Sequence, residues 1–205
     1  NFPPELGGMQ NLMEGLSNAL TNHGPVKVFA DNHENAIEYY QNSKLNIERI
    51  SGFKIFRKYR KANLVKDFIK ENQIRACFFD HWKSIENIDL ETLNKTKSFC
   101  LIHSKEINHN KGSFLNRRVL KVLNNVDKIV ANSNFTKELA VSLGVIAEKI
   151  IVINPGIEPV EKIDDKYLKE AEKLLKGKNP RLITVSRYDK RKSHDKIIMA
   201  LRNLK

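Results

Sequence analysis

The sequence predicts an α/β protein in which a parallel sheet is flanked by helices. Short apolar runs rich in β-branched residues alternate with helical patterns, which is typical of parallel strands joined by crossover helices. The 205 residues give room for one large domain or slightly more, and 40% of them are hydrophobic, as in ordinary globular proteins. No internal repeat or low-complexity tract breaks the alternation.

The composition excludes several classes of protein. Lys and Arg number 36 against 24 Asp and Glu, and the net charge of +12 attracts nucleic acids, anionic lipids or sugar nucleotides. No helix-turn-helix or base-stacking motif is present, so no nucleic-acid partner is predicted. No apolar run approaches the roughly 18 residues of a membrane span, and no signal peptide is visible. Cys77 and Cys100 lie in apolar runs, which predicts buried free thiols, no metal site and a cytoplasmic location.

The individual elements follow from apolar periodicity and from turn residues. Strands are predicted over residues 26–30, 76–79, 97–103, 126–131, 149–153 and 181–186. Helices are predicted over residues 10–20, 64–72, 117–124, 134–143, 167–175 and 194–204. Residues 31–51 are polar and predicted to be irregular, apart from a short helix around Ile37, Tyr39 and Tyr40.

The most regular pattern lies in the middle of the chain. Ser133 stands where the N-cap of a helix belongs, and Gly144 stands where such a helix ends. A buried strand is predicted on each side of that helix, and Pro155 and Gly156 then turn the chain away. Residues 158–165 are acidic and contain proline, as a linker between two domains would.

Two stretches carry candidate phosphate-binding groups. Gly7 and Gly8 precede the first helix, where exposed backbone N–H groups favour a phosphate, although a plain turn has the same pattern. Arg187 and Lys192 bracket the loop between a predicted strand and the last helix. Arg binds phosphate oxygens in a forked geometry and Lys adds a point charge, whereas a solvated loop is the alternative interpretation.

Two predicted strands end in candidate site residues. The carboxyl ends of parallel strands face the ligand crevice of an open sheet. His81 and Trp82 follow the strand over 76–79, where they line a pocket or belong to the edge of the core. His103 ends the next strand, and a structural role is its ordinary alternative.

Residues 53–61, FKIFRKYRK, interleave cations with aromatic side chains. The first interpretation is a helix whose Phe56, Tyr59 and Leu64 pack on the sheet while the cations remain in solvent. The alternatives are contact with a membrane surface or with a nucleic-acid strand.

Five segments together resemble the glycosyl-group-1 class of GT-B glycosyltransferases, of the family 4 type. ANSNFTKELAVSLGV and KIIVINPGIE are similar to the signature with which that class leaves its first Rossmann-like domain. FPPELGG is similar to its FPPxxGG loop, HSKE to its H-G-x-E segment, and TVSRYDKRKSHD to its VGRLxxxKGxD donor-phosphate motif. Ser104 and Ser193 stand where the last two motifs have Gly.

The resemblance implies a two-domain architecture and a reaction. Residues 1–156 would form the Rossmann-like acceptor-side domain. Residues 157–205 would form the linker and the first strand–helix unit of a truncated donor-binding domain. The implied enzyme transfers a hexose from a UDP- or GDP-sugar to a glycan or lipid-linked acceptor with retention of configuration. The chain starts without Met and without the strand that precedes the FPPxxGG loop, so a fragment, inactive alone, is expected.

The resemblance also implies roles for individual residues. His103 is placed against the transferred sugar as a catalytic residue, and Glu106 is the second catalytic residue. The donor diphosphate is bound by a set of backbone and cationic groups: Gly7, Gly8, Arg187 and Lys192. No metal or cofactor is implied, and peripheral membrane contact would involve residues 53–61. The alternative function is a non-catalytic membrane- or glycan-binding module of the same fold.

Overall fold

Strands and helices alternate through the first 152 residues. The computed structural model describes residues 2–36, 38, 43–156, 162–177, 179, 181–186 and 188–202. The chain divides into two compact units, Asn1–Gly156 and Ile157–Lys205, and the described strands all belong to the first.

The strands of the first unit form two parallel sheets. They are β1 (Lys27–Asp31), β2 (Asn46–Ile50), β3 (Ala76–Phe79), β4 (Lys97–Ile102), β5 (Lys128–Ala131) and β6 (Ile150–Val152). β1 pairs with β2, and the second sheet has the order β3–β4–β5–β6, with every neighbouring pair parallel. Parallel neighbours need crossover connections, and helices supply them. The predicted α/β class, with Rossmann-like parallel sheets flanked by helices, is confirmed.

The first α-helix of this unit precedes β1, and its other described α-helices lie between strands in sequence. They are α1 (Gly8–Leu20), α2 (Lys54–Glu71), α3 (Trp82–Ile85), α4 (Leu90–Leu93), α5 (Phe114–Leu123) and α6 (Asn134–Leu143). The helix predicted over residues 64–72 is the second half of α2, which begins ten residues earlier at Lys54. α3 and α4 are single turns of four residues each.

The hydrophobic core forms on both faces of β4. Cys100 and Ile102 are fully buried in a cluster with Trp82, whereas Leu101 joins a second cluster with residues of α1 and β1. Successive side chains of a strand point to opposite faces, so β4 contributes to both clusters. Both cysteines are free thiols, as predicted. Cys100 is buried and Cys77 is partly buried, and burial raises the pKa of each thiol.

The helix between β5 and β6 has the termini that the sequence predicts. The hydroxyl of Ser133 accepts a hydrogen bond from the backbone N–H of Thr136 at 3.2 Å and so caps the start of α6. Gly144 ends the helix with φ of 107°, in the left-handed region that side chains rarely adopt. The N–H of Val145 then donates to the carbonyl of Ala140 at 3.0 Å, which satisfies one carbonyl of the last turn.

The irregular structure predicted over residues 31–51 is wrong for its last part. β2 occupies Asn46–Ile50, and only two of its five residues, Ile47 and Ile50, are apolar. A strand in a two-stranded sheet has an unpaired side and tolerates polar side chains, so its apolar signal is weak. The short helix predicted around Ile37, Tyr39 and Tyr40 lies outside the described residues.

The packing predicted for the first half of α2 is also wrong. Phe56 and Tyr59 are 69% and 48% exposed, whereas Leu64 is partly buried as expected. The buried residues of the helix, Ala62 and Ile69, both lie beyond its first two turns. The helix therefore faces the core from about Ala62 onward, and its start presents aromatic side chains to solvent.

The second unit contains two helices among its described residues. α7 spans Asp165–Leu175, and α8 spans His194–Leu201 after a 3-10 turn at Lys190–Lys192. The strand predicted over residues 181–186 is wrong, because this segment has no regular structure and its large apolar side chains are exposed. A strand requires ladder hydrogen bonds to a neighbour, and no described segment pairs with this one. Residues 157–161, which include half of the linker predicted over residues 158–165, lie outside the described residues.

Replacing Ser133 by Ala is expected to lower the free energy of unfolding by about 1 kcal/mol, because the N–H of Thr136 loses its capping acceptor. Urea unfolding followed by circular dichroism measures this change. Ser142→Ala is the matched control, since Ser142 lies in the same helix and its exposed hydroxyl donates to the carbonyl of Leu139. Equal losses in the two variants would contradict the assigned cap.

Candidate active site

The candidate site lies where β3 and β4 end. The two strands are parallel, and Phe79 is opposite Cys100 in the ladder. The residues that follow each strand therefore leave the sheet at the same edge. This edge carries His81 after β3 and His103 after β4, as the sequence predicts.

The loop after β4 brings His103 and Glu106 together. A carboxylate oxygen of Glu106 accepts a hydrogen bond from the backbone N–H of His103 at 2.5 Å. The indole N–H of Trp82 donates to the backbone carbonyl of Glu106 at 2.9 Å. The carboxylate that the sequence assigns a catalytic role thus lies against the main chain of the adjacent histidine.

Ser104 gives this loop its tight turn. Its φ is 77°, and the N–H of Asn108 donates to its carbonyl at 3.0 Å. A side chain in this left-handed conformation costs about 1–2 kcal/mol, which is why the similar family motif has Gly here. The turn forms despite the serine, in a backbone conformation that favours Gly.

The ring of His103 has an unsatisfied nitrogen. Nε2 is buried and has no hydrogen-bond partner among the described residues. Buried polar atoms in folded proteins are nearly always paired, so an exception calls for a specific explanation. A polar group of a bound molecule would satisfy this nitrogen.

His81 and Trp82 have structural positions at this edge. Nδ1 of His81 accepts a hydrogen bond from the backbone N–H of Lys83 at 3.0 Å and caps α3. Burial lowers the pKa of His81 against the opposing charges of Asp80 and Glu106, which favours the neutral ring. Trp82 is fully buried. Of the two predicted alternatives, the edge of the core is the correct one for Trp82.

The glycine pair begins α1. Gly7 is the N-cap, and no described side chain caps this helix or places an acidic group in its first turn. A Cβ atom at Gly8 would meet open space, whereas one at Gly7 would lie 2.4 Å from the side-chain oxygen of Gln10. The first backbone N–H groups of this 13-residue helix thus have no side-chain cap among the described residues, and the start of such a helix favours an anion.

Arg49 holds the segment in front of the glycine pair, which the sequence did not reveal. Its guanidinium donates to the carbonyls of Pro3 and Asp31, the latter at 2.7 Å, and lies over the ring of Phe2. In the sequence, the only sign of this contact is that Arg49 is a cation between two isoleucines, Ile47 and Ile50.

The second unit contains part of the predicted diphosphate site. Lys192 is exposed and ends the turn before α8, whereas Arg187 lies outside the described residues. Ser193, the other residue that replaces a motif Gly, has φ of 52°. The ring of His194 stacks on Tyr188, and its Nε2 is 3.0 Å from the hydroxyl of Ser186.

A cavity of about 500 Å³ lies elsewhere in the first unit. It is lined by residues 85–90, Leu93 and one side of α5, and includes none of the predicted site residues. At its wall, Arg118 donates two hydrogen bonds to the carboxylate of Glu86, at 2.6 and 2.8 Å. This pairing lowers the pKa of Glu86. The ion pair is structural in kind and is separate from the edge that carries His103.

The described residues contain no group of three or more His, Cys, Asp or Glu side chains that could hold a metal ion. None of their helices is long and apolar enough to cross a membrane.

Comparison with known families decides the identity. Residues 6–161 match the family model of Glycosyltransferase Family 4. This chain belongs to that family. The match includes the glycine pair, His103 and Glu106 but ends before Lys192, so the assignment of the second unit rests on the motif alone. No curated protein has a significant match to the chain.

Three solved structures of Anabaena Alr3699/HepE are similar in fold to this family 4 chain. The complexes with UDP, with UDP-glucose, and with UDP and glucose have TM-scores of 0.64, 0.66 and 0.64 and identities of 12%, 12% and 13%. Each alignment covers 85% of this chain and 48% of HepE. The chain thus spans about half the length of HepE, and at these identities the likeness establishes the fold.

Ser104→Gly is expected to raise the free energy of unfolding by about 0.5–1 kcal/mol, because Gly adopts φ of 77° without strain and loses only part of this gain to chain entropy. Urea unfolding measures the change. Ser104→Ala is the control, since it keeps the Cβ atom and should bring no gain. Equal stabilisation by both variants would show that the hydroxyl, and not the backbone, is unfavourable.

Proposed function

We propose that this protein transfers a hexose from a nucleotide-sugar donor to a glycan or lipid-linked acceptor, with retention of configuration at the sugar. The observation that carries the proposal is the buried Nε2 of His103, at the carboxyl edge of a family 4 sheet, which has no hydrogen-bond partner among the described residues. A UDP-sugar is favoured over a GDP-sugar because the similar HepE structures hold UDP and UDP-glucose.

The transfer breaks the bond between the sugar and the diphosphate, and the leaving oxygen gains negative charge. Donors and cations that are already in place stabilise such a charge without the cost of reorganisation. Arg187 and Lys192 supply the cations, and the start of α1 at Gly7 and Gly8 supplies backbone N–H groups. No metal or cofactor is part of this proposal. His103 contacts the transferred sugar, with Glu106 beside it in the catalytic loop.

This assignment divides the roles between the two units. Residues 1–156 form the acceptor side, and residues 157–205 begin the donor side. The left-handed conformation of Ser193 supports the second role, since Gly, the motif residue directly after Lys192, favours this conformation.

Lys192→Ala is expected to weaken binding of UDP-glucose about tenfold, because one charge-assisted contact with the diphosphate is lost. Saturation-transfer NMR, which detects millimolar affinity, measures the change. Lys169→Ala removes an exposed cation of α7 in the same unit and serves as the control. Equal affinity of both variants would contradict the diphosphate role, and the absence of UDP-glucose binding to the unmodified chain would contradict the proposed donor.

A second feature supports a lipid-linked acceptor and peripheral contact with a membrane. Phe53 and Phe56 are 85% and 69% exposed at the start of α2, with Ile55 exposed between them. The exposed cations Lys54 and Lys58 alternate with these side chains. Aromatic side chains that enter the interface, next to cations that attract anionic headgroups, are typical of proteins that bind the surface of a bilayer.

The start of α5 carries a further exposed aromatic side chain. Phe114 is exposed, and the guanidinium of Arg118 lies 5.4 Å from the centre of its ring.

Phe56→Ser is expected to weaken binding to phosphatidylglycerol–phosphatidylcholine vesicles about tenfold, since it removes apolar area from the interface. Sedimentation with vesicles measures the bound fraction. Phe135→Ser is a matched control, because Phe135 is equally exposed, at 68%, on α6. Equal losses of vesicle binding in the two variants would show that the binding is nonspecific hydrophobic adsorption.

Vesicle sedimentation and the UDP-glucose binding measurement together separate the enzyme from the alternative, a binding module without catalysis. The module predicts vesicle binding that survives Arg187→Ala together with no affinity for UDP-glucose. The transferase predicts that the chain binds both vesicles and UDP-glucose, and that Arg187→Ala weakens only the binding of UDP-glucose.

A further inference from the structure

We propose that Glu106 is a positioning residue, which fixes the main chain of His103 and thereby aims the histidine ring, and that it does so as a hydrogen-bond acceptor. This inference rests on the proposed function in so far as His103 contacts the sugar. It differs from the catalytic role that the sequence motif suggests for Glu106, in which the carboxylate itself would act on the bound molecule.

The first support is the direction of the carboxylate. One of its oxygens accepts the backbone N–H of His103, the first residue after β4, at 2.5 Å. This N–H lies beyond the end of the strand, where ladder bonds no longer hold the main chain. The carboxylate thus takes the place of a neighbouring strand for one residue.

The second support is the attachment of Glu106 to the core. Its carbonyl accepts the indole N–H of Trp82 at 2.9 Å, and Trp82 is fully buried. The next residue, Ile107, is also fully buried. Trp82 and Ile107 cannot move without opening the core, and they hold the main chain of Glu106 from two sides. The side chain of Glu106 therefore starts from a fixed backbone position.

The third support is the short ring that these contacts close. The loop turns at Ser104, and the N–H groups of Ile107 and Asn108 both donate to the Ser104 carbonyl, at 3.2 and 3.0 Å. Together with the hydrogen bond that the N–H of His103 donates to the Glu106 carboxylate, these contacts fix both ends of the turn. The backbone of His103 has little freedom, and its Nε2 stays in its buried position without a partner among the described residues.

An acceptor role and a catalytic role differ in what they require of residue 106. Holding an N–H needs an oxygen, which an amide also offers, at about half the strength of a carboxylate. Action on the bound molecule needs the negative charge or the titratable proton. Glu106→Gln and Glu106→Ala therefore separate the two roles.

The experiment combines two NMR readouts on the isotope-labelled 205-residue chain. The amide proton shift of His103 reports the hydrogen bond from its backbone. Saturation transfer to the glucosyl protons of UDP-glucose, relative to the uridine protons, reports the contact with the sugar. His103→Ala sets the level expected when that contact is lost.

The positioning role predicts a graded result. Glu106→Gln keeps the downfield amide shift of His103 and most of the glucosyl saturation. Glu106→Ala moves the amide shift upfield and lowers the glucosyl saturation to the His103→Ala level, while uridine saturation is unchanged. Trp82→Phe, which removes the indole N–H and keeps an aromatic ring, moves the amide shift in the same direction and replaces the Ala variant if that variant does not fold.

Two results would overturn the inference. If Glu106→Gln lowers glucosyl saturation as far as Glu106→Ala while the His103 amide shift stays in place, the charge acts on the sugar directly. If Glu106→Ala changes neither readout, the carboxylate positions nothing. If UDP-glucose does not bind the unmodified chain, the proposed donor is wrong, and the amide shift alone then decides whether Glu106 holds His103.

Discussion

The parallel pairing of β3 with β4 is the constraint on which the candidate site depends. Because the strands run in the same direction, His81 and His103 leave the sheet at one edge, although 21 residues separate them in the chain. β4 is held there from both faces, since Cys100 and Ile102 pack in one cluster and Leu101 in the other. An antiparallel strand in the same place would put His103 at the opposite edge of the sheet. The position of the site is thus a consequence of strand direction and burial, before any residue at the edge contributes chemistry.

Two serines adopt backbone conformations that favour Gly. Ser104 and Ser193 occupy the positions at which the family motifs have Gly, and both have positive φ, at 77° and 52°. Among the described non-glycine residues, these two have positive φ. Each follows directly on a predicted site residue, His103 in one unit and Lys192 in the other. Strain of about 1–3 kcal/mol persists in a protein only where the surroundings fix the conformation, and such strain concentrates at functional sites. The strained conformations occur at the two motif positions, which supports the functional roles proposed for both motifs.

The sequence predicted most of the first unit and, in the second, both described helices but also a strand over residues 181–186 that the structure does not have. β3 coincides with its predicted range, and α6 has the predicted caps, because a buried strand and a capped helix are encoded by adjacent residues. β2 escaped prediction, since its isoleucines are separated by charged residues and its pairing with β1 is a long-range property. The segment 181–186 has a strand-like composition, but composition cannot supply the neighbouring strand that a ladder needs. At the candidate site, His103 and Glu106 were proposed as site residues through a motif. The bonds of Glu106 to His103 and Trp82, and the clamp of Arg49 on Pro3, required the fold.

At the start of α2, charged side chains contact the sheet and aromatic side chains face solvent, which is the reverse of the usual arrangement. This reversal has a physical cause. Arg57 and Lys61, predicted to remain in solvent, pair with Asp31 at the end of β1, at 3.2 and 2.7 Å. These pairs attach the first half of the helix to the sheet through its charged side chains. A helix held in this way turns its opposite face, with Phe56 and Tyr59, outward. The exposed rings are therefore a consequence of specific contacts on the other side of the helix and not of loose packing. Ion pairs of such partial exposure contribute about 0–1 kcal/mol each, so they decide which face of the helix turns outward without adding much to the stability of the unit.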